Sequence, residues 1–250
     1  RPHVAVFYAF ARAIGDIADN PHLSPEDKIT RLDGFADAIR GERADDSRYE
    51  KAHRIRASLL ETHVPLQHCL DLIAAFKQDA VKSRYADWDD LMGYCILSAS
   101  PVGRYLLDLH GEARDAYGAS DALCNALQVL NHLQDCKADF LDLDRVYLPG
   151  MWMMAEGAKV DALREPRSSP ALRRVLDRTL DATDGLLSVA RTLPRRLGDR
   201  RLAMEAGAIV EIAIRLAHAL RGRDPVAERV ELSRLQFIIC CARGAVRAWV

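Results

Sequence analysis

The sequence predicts an all-α protein. Apolar residues recur with helical spacing along almost the whole chain, and runs of alternating β-branched residues are scarce. At 250 residues and 49% apolar content there is material for a continuous core. No repeat of fixed period and no low-complexity linker interrupts it, so one domain over residues 1–250 is expected.

The elements follow in order. Residues 4–18 read as a helix with an aromatic-rich first half. "NPHLSPEDK" is a turn, and Ser24 followed by Pro25, Glu26 and Asp27 is a good start for a second helix that runs to Arg40, where Gly41 stops it. Further helices are expected over 47–62, 66–81, 87–99 and 120–139, a short one near Met151, then 170–191, 195–221 and 226–250. The small-residue stretch "LSASPVG" (97–103) predicts a kink or break with freed carbonyls, and "REPRSSP" (164–170) a loop.

Composition narrows the function classes. With 35 basic and 36 acidic residues the formal charge is −1, which gives no bulk attraction to nucleic acid or anionic lipid, so electrostatic work must be local. Six cysteines stand at 69, 95, 124, 136, 240 and 241 without a C-x-x-C pair, as expected of reduced thiols in a cytoplasmic protein. No stretch approaches the ~18 uninterrupted apolar residues of a membrane span, so a soluble protein is expected, with peripheral contact at the inner face of a membrane left open. The chain opens on Arg1 without a signal pattern, and a preceding segment is expected. His63 and His68, without a Glu-rich helical motif around them, do not suggest zinc.

A site is suggested by "NALQVLNHLQDCKADF" (125–140). On one helix, Gln128, Asn131, Asp135 and Asp139 fall within a narrow angular sector, while Leu123, Leu127, Leu130, Leu133 and Phe140 give a broad apolar surface. Two carboxylates about 6 Å apart along the axis are suited to sharing hard cations rather than a proton. "FYAFARAIGDIAD" (7–19) repeats the pattern, with Tyr8, Arg12, Asp16 and Asp19 on one face. Magnesium prefers oxygen ligands, retained waters and phosphates, so two such stripes read as a clamp for a diphosphate, with Arg12 beside it. The competing reading of either stripe alone is a solvated face. His132 is expected to be packed or solvated, and "RRLGDRR" (195–201), Arg229 and Arg234 to form a solvated basic face.

At these residues the chain resembles the squalene/phytoene synthase family. "FYAFARAIGDIAD" is similar to its first aspartate-rich motif, and "NALQVLNHLQDCKADF" with "RVYLP" (145–149) is similar to its second. "RYADWDDLMGYCILSASPVGR" (84–104) resembles the segment between them, with Tyr94 leading into the small-residue break. The resemblance implies an isoprenoid-synthase-type helical bundle around a large central cavity, with Mg2+ held by Asp16, Asp19, Asn131, Asp135 and Asp139. It also implies a prenyl diphosphate lipid substrate contacted by Tyr8, Arg12, Tyr94, Gln128, Asn131, Arg145 and Tyr147.

Two positions depart from the family pattern. Gly15 stands where the leading aspartate of the first motif is expected, and Gln134 where head-to-head synthases carry arginine. Gln134, "SDALCNALQ" and "ASPVGR" look more like the bacterial hydroxysqualene synthase branch of hopanoid biosynthesis. That branch ionises presqualene diphosphate and lets water capture the cation. It implies pathway partners that make presqualene diphosphate and reduce hydroxysqualene. The alternatives are a head-to-head synthase making presqualene diphosphate, squalene or phytoene, and a non-catalytic scaffold homologue.

Overall fold

The computed structural model describes residues 2–43 and 46–247. It is helical apart from one two-stranded ladder, in agreement with the all-α expectation. The chain divides into two compact units, Arg1–Lys82 with Leu97–Gly111 and Ser83–Ile96 with Glu112–Val250.

The first unit holds α1 (Pro2–Ala18), α2 (Pro25–Arg40), α3 (Glu50–Thr62) and α4 (Gln67–Asp79). Ser24 caps α2 by accepting from the Asp27 amide, and Gly41 ends it in the left-handed region at φ 96°. Phe7, Phe10, Ile14, Leu32, Ile39 and Ile55 build its core. Tyr105 joins this core by stacking on Phe7 at 3.9 Å, its hydroxyl donating to the His3 carbonyl.

The expected interruption falls at Ala99. It separates α5 (Trp88–Ser98) from α6 (Ser100–Leu109), a helix beyond the break that the sequence reading did not include. Pro101 sits in the first turn of α6, where a missing amide hydrogen costs nothing.

The second unit adds β1 (Arg84–Tyr85), α7 (Tyr117–Gln134), α8 (Cys136–Leu143), β2 (Val146–Pro149) and α9 (Gly150–Glu156). Then follow α10 (Pro170–Ala190), α11 (Arg200–Gly222) and α12 (Arg234–Arg247). The helix expected over 120–139 is two helices, because the backbone at Asp135 (φ −102°, ψ 7°) leaves helical geometry. The helix expected from 195 starts at 200, where the Asp199 carboxylate accepts from the Arg201 and Leu202 amides. The last helix begins at 234 rather than 226, and its expected end at 248–250 lies outside the described residues. The loop at 164–170 is present but tied, since Ser168 donates to the Asp224 carboxylate from both its amide (2.7 Å) and its hydroxyl (2.6 Å).

α11 and α12 cross glycine to glycine. A Cβ on Gly207 would stand 2.5 Å from the Gly244 carbonyl oxygen, and one on Gly244 2.2 Å from the Ala208 amide nitrogen, so only two bare backbones allow this approach. Burial pushes the Cys69, Cys95 and Cys136 thiols up to about 12, which makes them inert apolar fillers.

Candidate active site

In the first unit, α1 buries Phe7, Phe10, Ile14 and Ala18 and leaves Tyr8, Arg12 and Asp16 exposed on another face, with Asp19, also exposed, in the turn just past its end. Arg12 Nε lies 2.9 Å from Asp16 Oδ1, one turn away, so the stripe already pairs a cation with its first carboxylate. Tyr8 is 66% exposed. A side chain at Gly15 would meet Phe76 only at 3.6 Å, an ordinary contact, so packing does not dictate the glycine. A cavity of 540 Å³ in this unit is lined from α1 by Ala13 and Ile17 and not by the polar stripe.

The second unit assembles a denser constellation. α7 carries Gln128, Asn131 and His132 to the bend at Asp135, and α8 carries Asp139 one turn further. Asp144 ends α8 in the left-handed region (φ 50°), a conformation an aspartate tolerates, and the Arg145 amide donates back to the Asp139 carbonyl at 3.0 Å. The chain thereby enters β2, which pairs in parallel with β1. The Val146 amide donates to Ser83 and the Met151 amide to Ala86, and the Arg84 guanidinium reaches the Asp144 carboxylate at 2.6 Å. The "RVYLP" segment is thus a short strand, and it delivers Arg145 and Tyr147, both buried, beside the polar stripe.

Tyr147 is the centre of an aromatic cluster. It stacks on His132 at 3.5 Å between centroids and 13° between planes, and lies 5.5 Å from Tyr85 and 5.6 Å from Tyr94. The Gln128 side-chain nitrogen faces His132 Nε2 at 3.0 Å. An amide donor there makes Nε2 the acceptor, which leaves Nδ1 to carry the proton toward Asp139 Oδ2, 3.9 Å away. Burial holds the His132 imidazole below its usual range against the opposing pull of Asp139, so the ring is neutral near neutral pH. His132, expected to be packed or solvated, is packed, and it links Gln128, Tyr147 and Asp139.

Asp135 has a different neighbour. Arg229 Nε stands 3.2 Å from its Oδ1, and the Gln134 side-chain amide donates to the Val230 carbonyl at 2.5 Å, so residues 229–230 lie against the helix bend. Burial and the nearby Asp139 charge raise the Asp135 carboxyl above the usual range, while Arg229 pulls it down. Asp135, Gln134 and Arg229 line a cavity of 420 Å³ together with Lys137, Leu141 and Val226. Arg229 is exposed, as expected of a solvated charge, and it also pairs with Asp135. No sequence signal near it announces Asp135, 94 positions away.

The donors at the bend are oxygens, two of them carboxylates in a setting that disfavours a second negative charge. That chemistry fits a hard divalent cation. Among the described residues no group of three or more His, Cys, Asp or Glu side chains is placed to hold a metal by itself.

A family model for squalene/phytoene synthase matches residues 1–236. The chain belongs to the squalene/phytoene synthase family. A hydroxysqualene synthase from Rhodopseudomonas palustris is 42% identical over 239 residues, covering 96% of this chain and 81% of that protein. One from Sinorhizobium fredii is 39% identical with the same coverage. The crystal structure of the squalene synthase HpnC from Alicyclobacillus acidocaldarius superposes with a TM-score of 0.79 at 31% identity, covering 89% of this chain and 83% of that one. The squalene/phytoene synthase fold is thus shared.

Proposed function

We propose that this chain is a hydroxysqualene synthase, a carbon–oxygen lyase that releases diphosphate from presqualene diphosphate and lets water capture the cation. The observation that carries the reading is Gln134. Where a head-to-head synthase is expected to hold an arginine, this chain has a neutral amide committed to the Val230 carbonyl. A one-substrate enzyme binds one diphosphate rather than two and needs fewer cations. The two relatives near 40% identity support the same branch.

Ionisation breaks the bond from carbon to the diphosphate oxygen, and the electron pair leaves with the phosphate. Bound Mg2+ supplies the charge neutralisation that makes diphosphate a better leaving group. Asp16, Asp19, Asn131, Asp135 and Asp139 would hold it, and Tyr8 and Gln128 would orient the diphosphate. Arg12, Arg145 and Arg229 would share the departing charge through charge-assisted hydrogen bonds. Tyr94 and Tyr147, both buried, would help exclude bulk water and orient the diphosphate or the one admitted water. One admitted water forms the new carbon–oxygen bond and releases its proton to solvent. The substrate requires an upstream enzyme that joins two prenyl diphosphates, and the product suits a reductive step.

A second reading, a head-to-head synthase, is favoured by the likeness to the Alicyclobacillus squalene synthase. Product analysis separates the two. The protein is given presqualene diphosphate or farnesyl diphosphate separately, with magnesium and without NADPH. Hydroxysqualene from presqualene diphosphate alone is the expected result. Consumption of farnesyl diphosphate would establish the second reading, and inertness toward both would point to a non-catalytic scaffold homologue.

A further inference from the structure

The solvent side of α12 is apolar. Leu235 is 68% exposed, Ile238 62% and Ile239 42%, and at helical spacing these three share the face opposite Cys240 and Gly244, which pack on α11. Phe237, half exposed, lies on the other side of the helix, near Gly244, and is not part of this stripe. A helix facing only water would carry polar residues there.

The charges at its margins are mainly basic, with Glu231 just before it and Glu211 of α11 beside Cys240 as the nearby acids. Among the described side chains of α12, Arg234 and Arg243 are basic and none is acidic. The Gly207–Gly244 crossing brings the end of α12 to the start of α11, where the run 195–201 supplies four further exposed arginines. The acids there are engaged: the Asp199 carboxylate caps α11, Glu205 pairs with Arg201 at 3.2 Å, and the Glu112 carboxylate accepts from the Gly198 and Asp199 amides. An exposed apolar stripe bordered by arginines is the pattern of a helix that lies in a lipid interface. With a net charge of −1 for the whole chain, this attraction is local to one face. Among the described residues no helix is long and apolar enough to cross a membrane, so contact would be in the plane of the surface.

We infer that α12 docks the protein on an anionic bilayer, with Leu235, Ile238 and Ile239 among the acyl chains and the arginine end of α11 and α12 against the headgroups. The test is flotation of the protein with vesicles of phosphatidylcholine alone and of phosphatidylcholine with phosphatidylglycerol, at low and high salt. Binding is expected only to the anionic vesicles, and it falls at high salt. Leu235→Glu with Ile238→Glu reduces partitioning by more than about tenfold, and Arg243→Gln by about fivefold. Melting temperatures are unchanged, because all three side chains are exposed. Absence of binding to anionic vesicles, or undiminished binding by the double variant, overturns the inference. A dimer in sedimentation that the double variant dissociates, with no vesicle binding by the unmodified chain, assigns the face to a second copy instead.

Discussion

Arg229 Nε and Asp135 Oδ1 stand 3.2 Å apart and join the segment before α12 to the bend between α7 and α8. The guanidinium is the charge that opposes burial and Asp139 in setting the Asp135 carboxyl. Arg229→Gln is therefore expected to raise that carboxyl further and to move the acid limb of the kcat/KM profile toward higher pH. A profile with an unmoved acid limb would show that the pair does not govern Asp135.

Replacing Asp135 itself separates stability from function. A carboxyl whose pKa is raised by folding opposes ionisation, so its charge destabilises the fold above that pKa, and the penalty is relieved as pH falls through it. Asp135→Asn is expected to melt at a higher temperature than the unmodified protein near neutral pH and to lose this advantage in acid. Turnover should be abolished throughout. Paired thermal melts and assays across pH check both halves.

His132 is held by its ring stack and faces Asp139 through Nδ1. His132→Phe keeps the stack and is expected to melt within about 1 kcal/mol of the unmodified protein. His132→Ala leaves a cavity and should cost about 2–3 kcal/mol. The phenylalanine variant is nevertheless expected to need more magnesium for half-maximal turnover, because Asp139 loses its oriented neighbour. An unchanged magnesium requirement would reduce His132 to a packing role.

The glycine crossing gives a purely steric prediction. Gly207→Leu forces side-chain atoms into the Gly244 backbone and is expected to cost about 1–3 kcal/mol, read from denaturant midpoints. The loss should track with weakened protection of α12 amides in hydrogen exchange. Full protection of α12 in the variant would contradict the crossing.

The two departures from the family pattern can be reversed together. Gly15 has room for a side chain, and Gln134→Arg gives up one hydrogen bond to Val230, a loss of about 1 kcal/mol. Gly15→Asp with Gln134→Arg is expected to retain magnesium-dependent turnover of presqualene diphosphate. Loss of that turnover in a folded double variant would refute the idea that both positions reflect a one-diphosphate site.

What was legible in the sequence was what depends on neighbours along the chain. The period of the apolar residues showed α1, α2 and α7, and the Ser24 and Gly41 caps placed the ends of α2. The faces of α1 and α7 followed from 3.6-residue geometry, including the exposed Tyr8, Arg12 and Asp16. The bend at Asp135 was not legible, because 125–140 keeps its apolar period through it. The ladder between β1 and β2 was also hidden, since two strands of two and four residues leave no periodic trace. Arg229 is solvated as read, but its pairing with Asp135 was hidden, because only the fold brings the two together.

That small ladder fixes the order in which the second unit can come apart. Arg84 and Asp144 are 60 positions apart, and the pairing of β1 with β2 helps close the segment between them. The helical turns of α7 form locally and quickly, whereas this closure must overcome chain entropy first. Opening the ladder withdraws Tyr147 from His132 and leaves α7 standing. Inactivation by mild heat or denaturant should therefore precede the loss of helical signal, and the Val146 amide should be among the early exchangers on that pathway.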